Sequence, residues 1–241
     1  MIHVLIDIDE TILSVPEGIN VKASAVMFKQ VFGIDAHEEL IDNVGKTEMG
    51  IIQEVLEKVK AKERTPGQET SLVEVPEEAY RVWGEATSQE LKDHPPRVLP
   101  GILELLTALS KNPEVKLGLL TGNSPERAEA KLKSAQLDAF FRDKETNQLS
   151  GVFGDNTSRR DQLFDIIKQQ VTPDDSFVVI DDSIIGARMA QSHNIPIIMV
   201  ATGKATEEQL SPFTPYIFPD FGENRWQKVV SLIETITRNN I

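Results

Sequence analysis

Two carboxylates stand two residues apart near the start of the chain, in Val4-Leu5-Ile6-Asp7-Ile8-Asp9-Glu10-Thr11. Val4, Leu5 and Ile6 form a short apolar run of the kind that becomes a buried strand. While the backbone stays extended, Asp7 and Asp9 share a face, because side chains alternate with a period of two. Two like charges so close are costly inside a strand. The pair therefore belongs at the strand's C-terminal end, the edge where open parallel α/β sheets bind ligands. There one carboxylate can attack phosphorus and the other can pass a proton to the leaving oxygen. A divalent cation beside them would relieve their repulsion. The plain alternative is an acidic loop that caps the next helix.

Other apolar runs end in residues that suit the same chemistry. In Leu119-Leu120-Thr121-Gly122-Asn123-Ser124-Pro125, Ser124 fits an N-cap and Pro125 a first helical turn. Free N–H groups at such a helix start favour an anion. Thr121 could add a hydrogen bond to a phosphate oxygen, and Gly122 lets the backbone approach. An ordinary strand–turn–helix junction would look the same. In Val178-Val179-Ile180-Asp181-Asp182-Ser183 the two acids could offer oxygen ligands to Mg²⁺. They would equally suit a dipole-favoured helix start with Ser183 as its cap. The balancing cation is Arg160, whose neighbour is Arg159, or Lys204 after Thr202-Gly203. A solvated surface charge is the commoner fate of Lys and Arg.

The elements that must position these residues follow from periodicity. Val21, Ala25, Phe28 and Phe32 predict a helix stopped by Gly33, and a short helix is expected over 36–42. Ile52, Val55, Leu56 and Val59 mark a third helix starting near Thr47, whose hydroxyl suits an N-cap. Residues 62–74 read as a loop around Pro66-Gly67. A fourth helix runs from after Pro76 through Tyr80 and Trp83 and ends before Pro95-Pro96. Beyond it, strands alternate with helices. Strands are predicted at 115–120, 151–153, 177–180, 195–200 and 216–218, and helices at 101–110, 126–135, 160–170 and 184–192, with one more at the C-terminus. That alternation implies an α/β fold with a Rossmann-like doubly wound parallel sheet. The helical block directly after strand one reads as an insertion. The expected division is a core of residues 1–14 and 98–241 and a helical cap of 15–97. Lys46 and Thr47, after Gly45, could face the cleft and touch a substrate, against the simpler reading of an N-cap beside a solvated lysine.

Composition narrows the function class. The chain has 241 residues and a formal net charge of −13, with no basic stripe for a nucleic-acid backbone. It has no cysteine, so neither a disulfide framework nor a thiolate metal site is expected. The four histidines lack metal-ligand spacing. No apolar run suits a signal peptide or membrane span, and a cytoplasmic protein without a membrane partner is the default.

In this order, the motifs resemble the haloacid dehalogenase superfamily of phosphohydrolases, specifically its phosphoglycolate-phosphatase-like branch with a helical cap. Asp7-x-Asp9-x-Thr11 matches the first signature, Thr121 in Leu-Leu-Thr-Gly-Asn the second, and Asp181-Asp182 the fourth. The resemblance implies that Asp7 is a nucleophile forming an aspartyl-phosphate. Asp9 is then the acid and later the base; beside another acid it could have a raised pKa that keeps it protonated for the first step. It implies Mg²⁺ held by Asp7, the backbone carbonyl of Asp9 and Asp182, with Asp181 beside them. Thr121 and the backbone of Gly122 and Asn123 would hold phosphate. The run Phe153-Gly154-Asp155-Asn156 followed by Arg160-Asp161-Gln162-Leu163 resembles relatives with Arg as the third signature, which favours Arg160 over Lys204. Glu10 and Asp181 each stand where Gly is frequent. Gly186 stands where many relatives have another acid, which weakens the metal site or leaves Asp181 to compensate. The implied activity is Mg²⁺-dependent hydrolysis of a small phosphorylated metabolite. The alternatives are a phosphomutase and a phosphate-binding protein without turnover.

Overall fold

The computed structural model describes residues 1–61, 74–172 and 174–239. The predicted loop at 62–74 falls almost wholly outside the described residues. Six parallel strands form one sheet: β1 (Ile2–Ile6), β4 (Val115–Leu120), β5 (Gly151–Val152), β6 (Ser176–Asp181), β7 (Ile197–Val200) and β8 (Ile217–Phe218). Their order is β5-β4-β1-β6-β7-β8. β1 is thus central, in parallel register with β4 on one side and β6 on the other. The chain builds outward from β1 through β4 and β5, then crosses back to β6. The strand order reverses beside β1, and such a reversal opens a crevice at the carboxyl ends of the strands.

The continuous apolar runs are explained by burial on both faces. Val4, Ile6, Val178 and Ile180 join one apolar cluster, whereas Leu5 and Val179 join the other. Helices α4 (Ile102–Ser110), α5 (Pro125–Ser134) and α9 (Arg225–Asn239) supply the first cluster. α6 (Leu163–Lys168), α7 (Ile184–Ser192) and α8 (Glu207–Leu210) supply the second. The fold is therefore a doubly wound α/β sandwich.

Between β1 and β4 lie α1 (Ile19–Phe32), α2 (Glu48–Ala61) and α3 (Glu77–Asp93). They share an apolar cluster of their own around Phe28, Ile52, Val55 and the fully buried Trp83. Gly33 ends α1 in the left-handed conformation, with its N–H donating to Lys29 O and the next N–H, that of Ile34, to Phe28 O. Thr47 Oγ1 accepts from Gly50 N at 3.2 Å, the cap expected for α2. None of the described helices is long and apolar enough to cross a membrane.

Several details depart from the periodicity, the unpredicted short helix α8 among them. The helix expected over 36–42 is a single 3₁₀ turn, Glu38–Leu40. The helix expected over 160–170 begins as a 3₁₀ turn, Arg160–Gln162, before α6. A two-residue antiparallel pair, β2 (Leu13–Ser14) with β3 (Arg97–Val98), was not predicted. Two residues carry no alternation to detect. This pair stands where the chain leaves the sheet layer and returns to it.

Candidate active site

β1 ends at Ile6, so Asp7 and Asp9 emerge at the carboxyl edge of the central strand. Asp7 is 6% exposed. Its Oδ2 lies 3.3 Å from Arg160 Nη2, while Oδ1 has no hydrogen-bond partner among the described residues. Burial pushes the Asp7 carboxyl up to about 6 against the pull of Arg160, and Asp181 and Asp9 push the same way. Asp182 closes the site from β6. Thr11 Oγ1 donates to its Oδ1 at 3.1 Å. Burial and the neighbouring Asp181 and Asp7 drive its carboxyl up to about 9.

Asp7, Asp181 and Asp182 each present a carboxylate oxygen within 4.8 Å of the others. Three acids so close, with an unpartnered buried oxygen on Asp7, fit a hard divalent cation. Asp181 differs from its two neighbours because its oxygens are already used. Oδ1 accepts from Ser183 N at 2.8 Å and Ser183 Oγ at 2.7 Å, and Oδ2 accepts from Arg160 at 2.8 Å. Asp7 and Asp182 are the members with free capacity.

Arg160 is 5% exposed and also donates to the Leu120 carbonyl at 3.2 Å. It faces Asp7 and Asp181 at once, a cation placed for a bound anion. Lys204 lines the same cleft but is exposed, and Arg159 pairs with Asp161 at the surface. Thr121 is fully buried, and its Oγ1 accepts from Asn123 N at 3.3 Å and Asn123 Nδ2 at 2.9 Å. Ser124 caps α5 by accepting from Arg127 N, and Pro125 opens the first turn. Lys46 lines the cleft, with its Nζ 2.5 Å from Glu54.

The helical block is fastened to these loops through its backbone. Glu48 N donates to Gly122 O at 2.8 Å and Met49 N to Gly154 O at 2.9 Å. Free donors of the first turn of α2 thus find acceptors in the strand-end loops. A β-carbon at Gly122 would fall 2.1 Å from Lys46 O, so only glycine permits this approach.

One expectation fails. Asp9 does not carry a raised pKa. Burial pushes it up, but Lys131 and Arg127 outweigh that and hold it below the ordinary carboxylate value. Lys131 Nζ lies 2.7 Å from both Asp9 oxygens and 2.7 Å from Asn123 Oδ1. Asn123 Nδ2 adds a hydrogen bond to Asp9 at 2.8 Å. Neither Lys131 nor Arg127 was singled out from the sequence. The available signal was their phase on α5, where Arg127, Ala128, Lys131 and Leu132 share the buried face. Two cations on the apolar stripe of a helix require carboxylate partners inside.

A family model for haloacid dehalogenase-like hydrolases matches residues 3–194. The chain belongs to this family. The hydrolase has no significant match among curated proteins. Among solved structures it resembles a predicted phosphatase from Clostridium acetobutylicum, with 20% identity, 98% of each chain covered and a TM-score of 0.56. It also resembles CbbY from Rhodobacter sphaeroides in complex with phosphate, with 18% identity over 92% of this chain and 95% of that one, and a TM-score of 0.56. A candidate β-phosphoglucomutase from Thermotoga maritima gives 20% identity over 96% and 99% of the chains, with a TM-score of 0.56. These similarities establish a shared fold.

Two unusual residues of the hydrolase have local explanations. A β-carbon at Gly186 would fall 2.1 Å from Asp181 Oδ2. The Asp181 carboxylate fills the space a side chain on α7 would need, so an acid on the strand excludes one on the helix. Glu10 has φ 55, a left-handed value that favours glycine. It is held there by its N–H to Leu13 O at 2.8 Å and by Ser14 Oγ on its carboxylate at 2.8 Å.

Proposed function

We propose that this hydrolase is a Mg²⁺-dependent phosphatase acting on a small phosphate monoester through a phosphorylated Asp7. The observation that carries this reading is Asp7 Oδ1. It is a buried carboxylate oxygen without a partner, in the cleft floor beside Arg160. Asp7 and Asp182 would hold the cation with the backbone carbonyl of Asp9, and Asp181 would steady Arg160 beside them. When bound, the cation would offset negative charge on the acids and on the phosphate oxygens. Arg160 supports the reading from the opposite side, as a fixed cation that lowers repulsion between Asp7 and an incoming phosphate.

One carboxylate oxygen of Asp7 attacks phosphorus, the bond to the leaving alcohol oxygen breaks, and a protonated Asp9 supplies that oxygen with its proton. Asp9 stands on the same strand edge, where it can face that oxygen and, later, the attacking water. Its ionised resting form is the base form, suited to taking a proton from water as the phosphoenzyme is hydrolysed. To serve as acid in the first half it must first take up a proton. The helical block over the cleft limits the entry of water.

Asp7→Asn should reduce phosphate release from an aryl phosphate in the presence of Mg²⁺ to background, with the thermal transition retained. Undiminished turnover in that variant would remove Asp7 from the mechanism. The same assay with a hexose 1-phosphate tests the mutase alternative suggested by the shared fold, since a mutase yields the 6-phosphate instead of free phosphate.

A further inference from the structure

The two ends of the cleft differ in charge. At the floor, Arg160 serves Asp7 and Asp181. Lys204 belongs to the same end, because a β-carbon on the adjacent Gly203 would fall 1.8 Å from the Asp182 carboxylate. On the helical side the described cations that line the cleft, Arg127 and Lys46, face the protein's own acids, and of their nitrogens only the buried Nε of Arg127 lacks a partner among the described residues. Arg127 Nη1 lies 2.9 Å from Glu48 Oε1 and 3.7 Å from Glu38 Oε2. Its Nη2 donates to Asn20 Oδ1 at 2.9 Å, and its guanidinium carbon lies 4.3 Å from the centroid of the Trp83 ring. Lys46 is engaged by Glu54. The rest of that wall is acidic: the buried Glu38, which accepts from Asn43 Nδ2 at 3.0 Å on Oε1 and faces Arg127 on Oε2, and the exposed Glu39 at the rim.

Resting on the phosphatase reading above, we infer that the leaving group of the substrate carries hydroxyl or ammonium donors and no second anion. A polyol or amino-polyol monophosphate meets the acceptors of the helical wall. A carboxylate or second phosphate at the same place would stand among carboxylates, where the described cations are already paired with acids. Rejection by an unpaired charge is a strong source of specificity. An anion drawn to Arg127 would compete with Glu38 and Glu48 for the same guanidinium, and displacing those acids would leave them unpaired in turn. The cavity, about 280 Å³, limits the ester to a small one.

Matched substrate pairs that differ only in the extra anion test this. The pairs are glycerol 1-phosphate against 3-phosphoglycerate, and fructose 6-phosphate against fructose 1,6-bisphosphate, with para-nitrophenyl phosphate as a common reference. kcat/KM should favour the neutral member of each pair by about tenfold. Glu38→Gln takes one carboxylate from Arg127, and Glu39→Lys adds a cation at the exposed rim. Either should narrow the ratio by about threefold. Equal or better turnover of the anionic members by the native chain overturns the inference, as does a ratio that neither variant narrows. If even para-nitrophenyl phosphate is not hydrolysed, the phosphatase reading falls, and this inference with it.

Discussion

Asp9 has two separate constraints at the scale of single residues. It stands beside Asp7, the proposed nucleophile, yet a fully buried lysine holds it ionised. Asn123 ties the pair together, since it accepts from Lys131 and donates to Asp9. On the proposed mechanism Lys131 is a positioning residue. It acts through the Asp9 carboxylate, and its own pKa is lowered by burial against the pull of Asp9. Lys131→Met should lower kcat by about a hundredfold with a much smaller change in KM, the pattern expected when the acid/base group is misplaced. The same change leaves Asp9 and Asn123 without their shared donor and should cost ~1–3 kcal/mol of stability. Steady-state kinetics and thermal unfolding of the one variant check both. An unchanged kcat would mean that Asp9 needs no support from α5.

At the scale of elements, the site depends on where strand ends meet helix starts. β1, β4 and β6 each deliver one part at their carboxyl ends, and α5 and α7 begin immediately behind them. The Asp181–Gly186 contact belongs here. Asp181 closes β6, Gly186 lies in the first turn of α7, and the carboxylate fills the space between them. Gly186→Ala should therefore destabilise the fold by ~1–3 kcal/mol, since a methyl group must displace a carboxylate already bonded to Ser183 and Arg160. It should also disturb Arg160 and thus weaken phosphate binding. Denaturant unfolding and inhibition by inorganic phosphate read the two effects. A variant of native stability would show that α7 can shift without cost.

For the whole molecule, the buried acids couple folding to pH and to the cation. Asp7 and Asp182 have their carboxyls raised in the fold, to about 6 and about 9 from a reference of 3.8. A group raised in this way favours the fold while protonated, and that contribution disappears as pH climbs through its folded value. Without a divalent cation the thermal midpoint should therefore fall between about pH 5 and about pH 8. On the proposed function Mg²⁺ would bind the ionised acids, so its stabilising effect should be larger at the higher pH. Asp7→Asn should flatten the metal-free profile in part. Calorimetry across pH with and without Mg²⁺ checks this, and a Mg²⁺ shift independent of pH would contradict it.

The local order along the chain carried much of this protein in a form that can be read directly. Apolar runs followed by acids or a hydroxyl marked β1, β4 and β6 with the side chains at their ends, because burial on both faces demands such runs and charge must wait for the edge. Gly33 and the Thr47 cap likewise act over a few residues and were predicted from them. Long-range pairing was not visible in this way. Nothing near Lys131 in the chain announces Asp9, more than a hundred residues earlier, and nothing near Arg127 announces Glu38 and Glu48. Their meeting depends on how α5 packs against α3 and on how the first turn of α2 docks on the loops after β4 and β5. The ionisation of Asp9 turned on the same packing, since a carboxylate's pKa depends on which charges surround it in space.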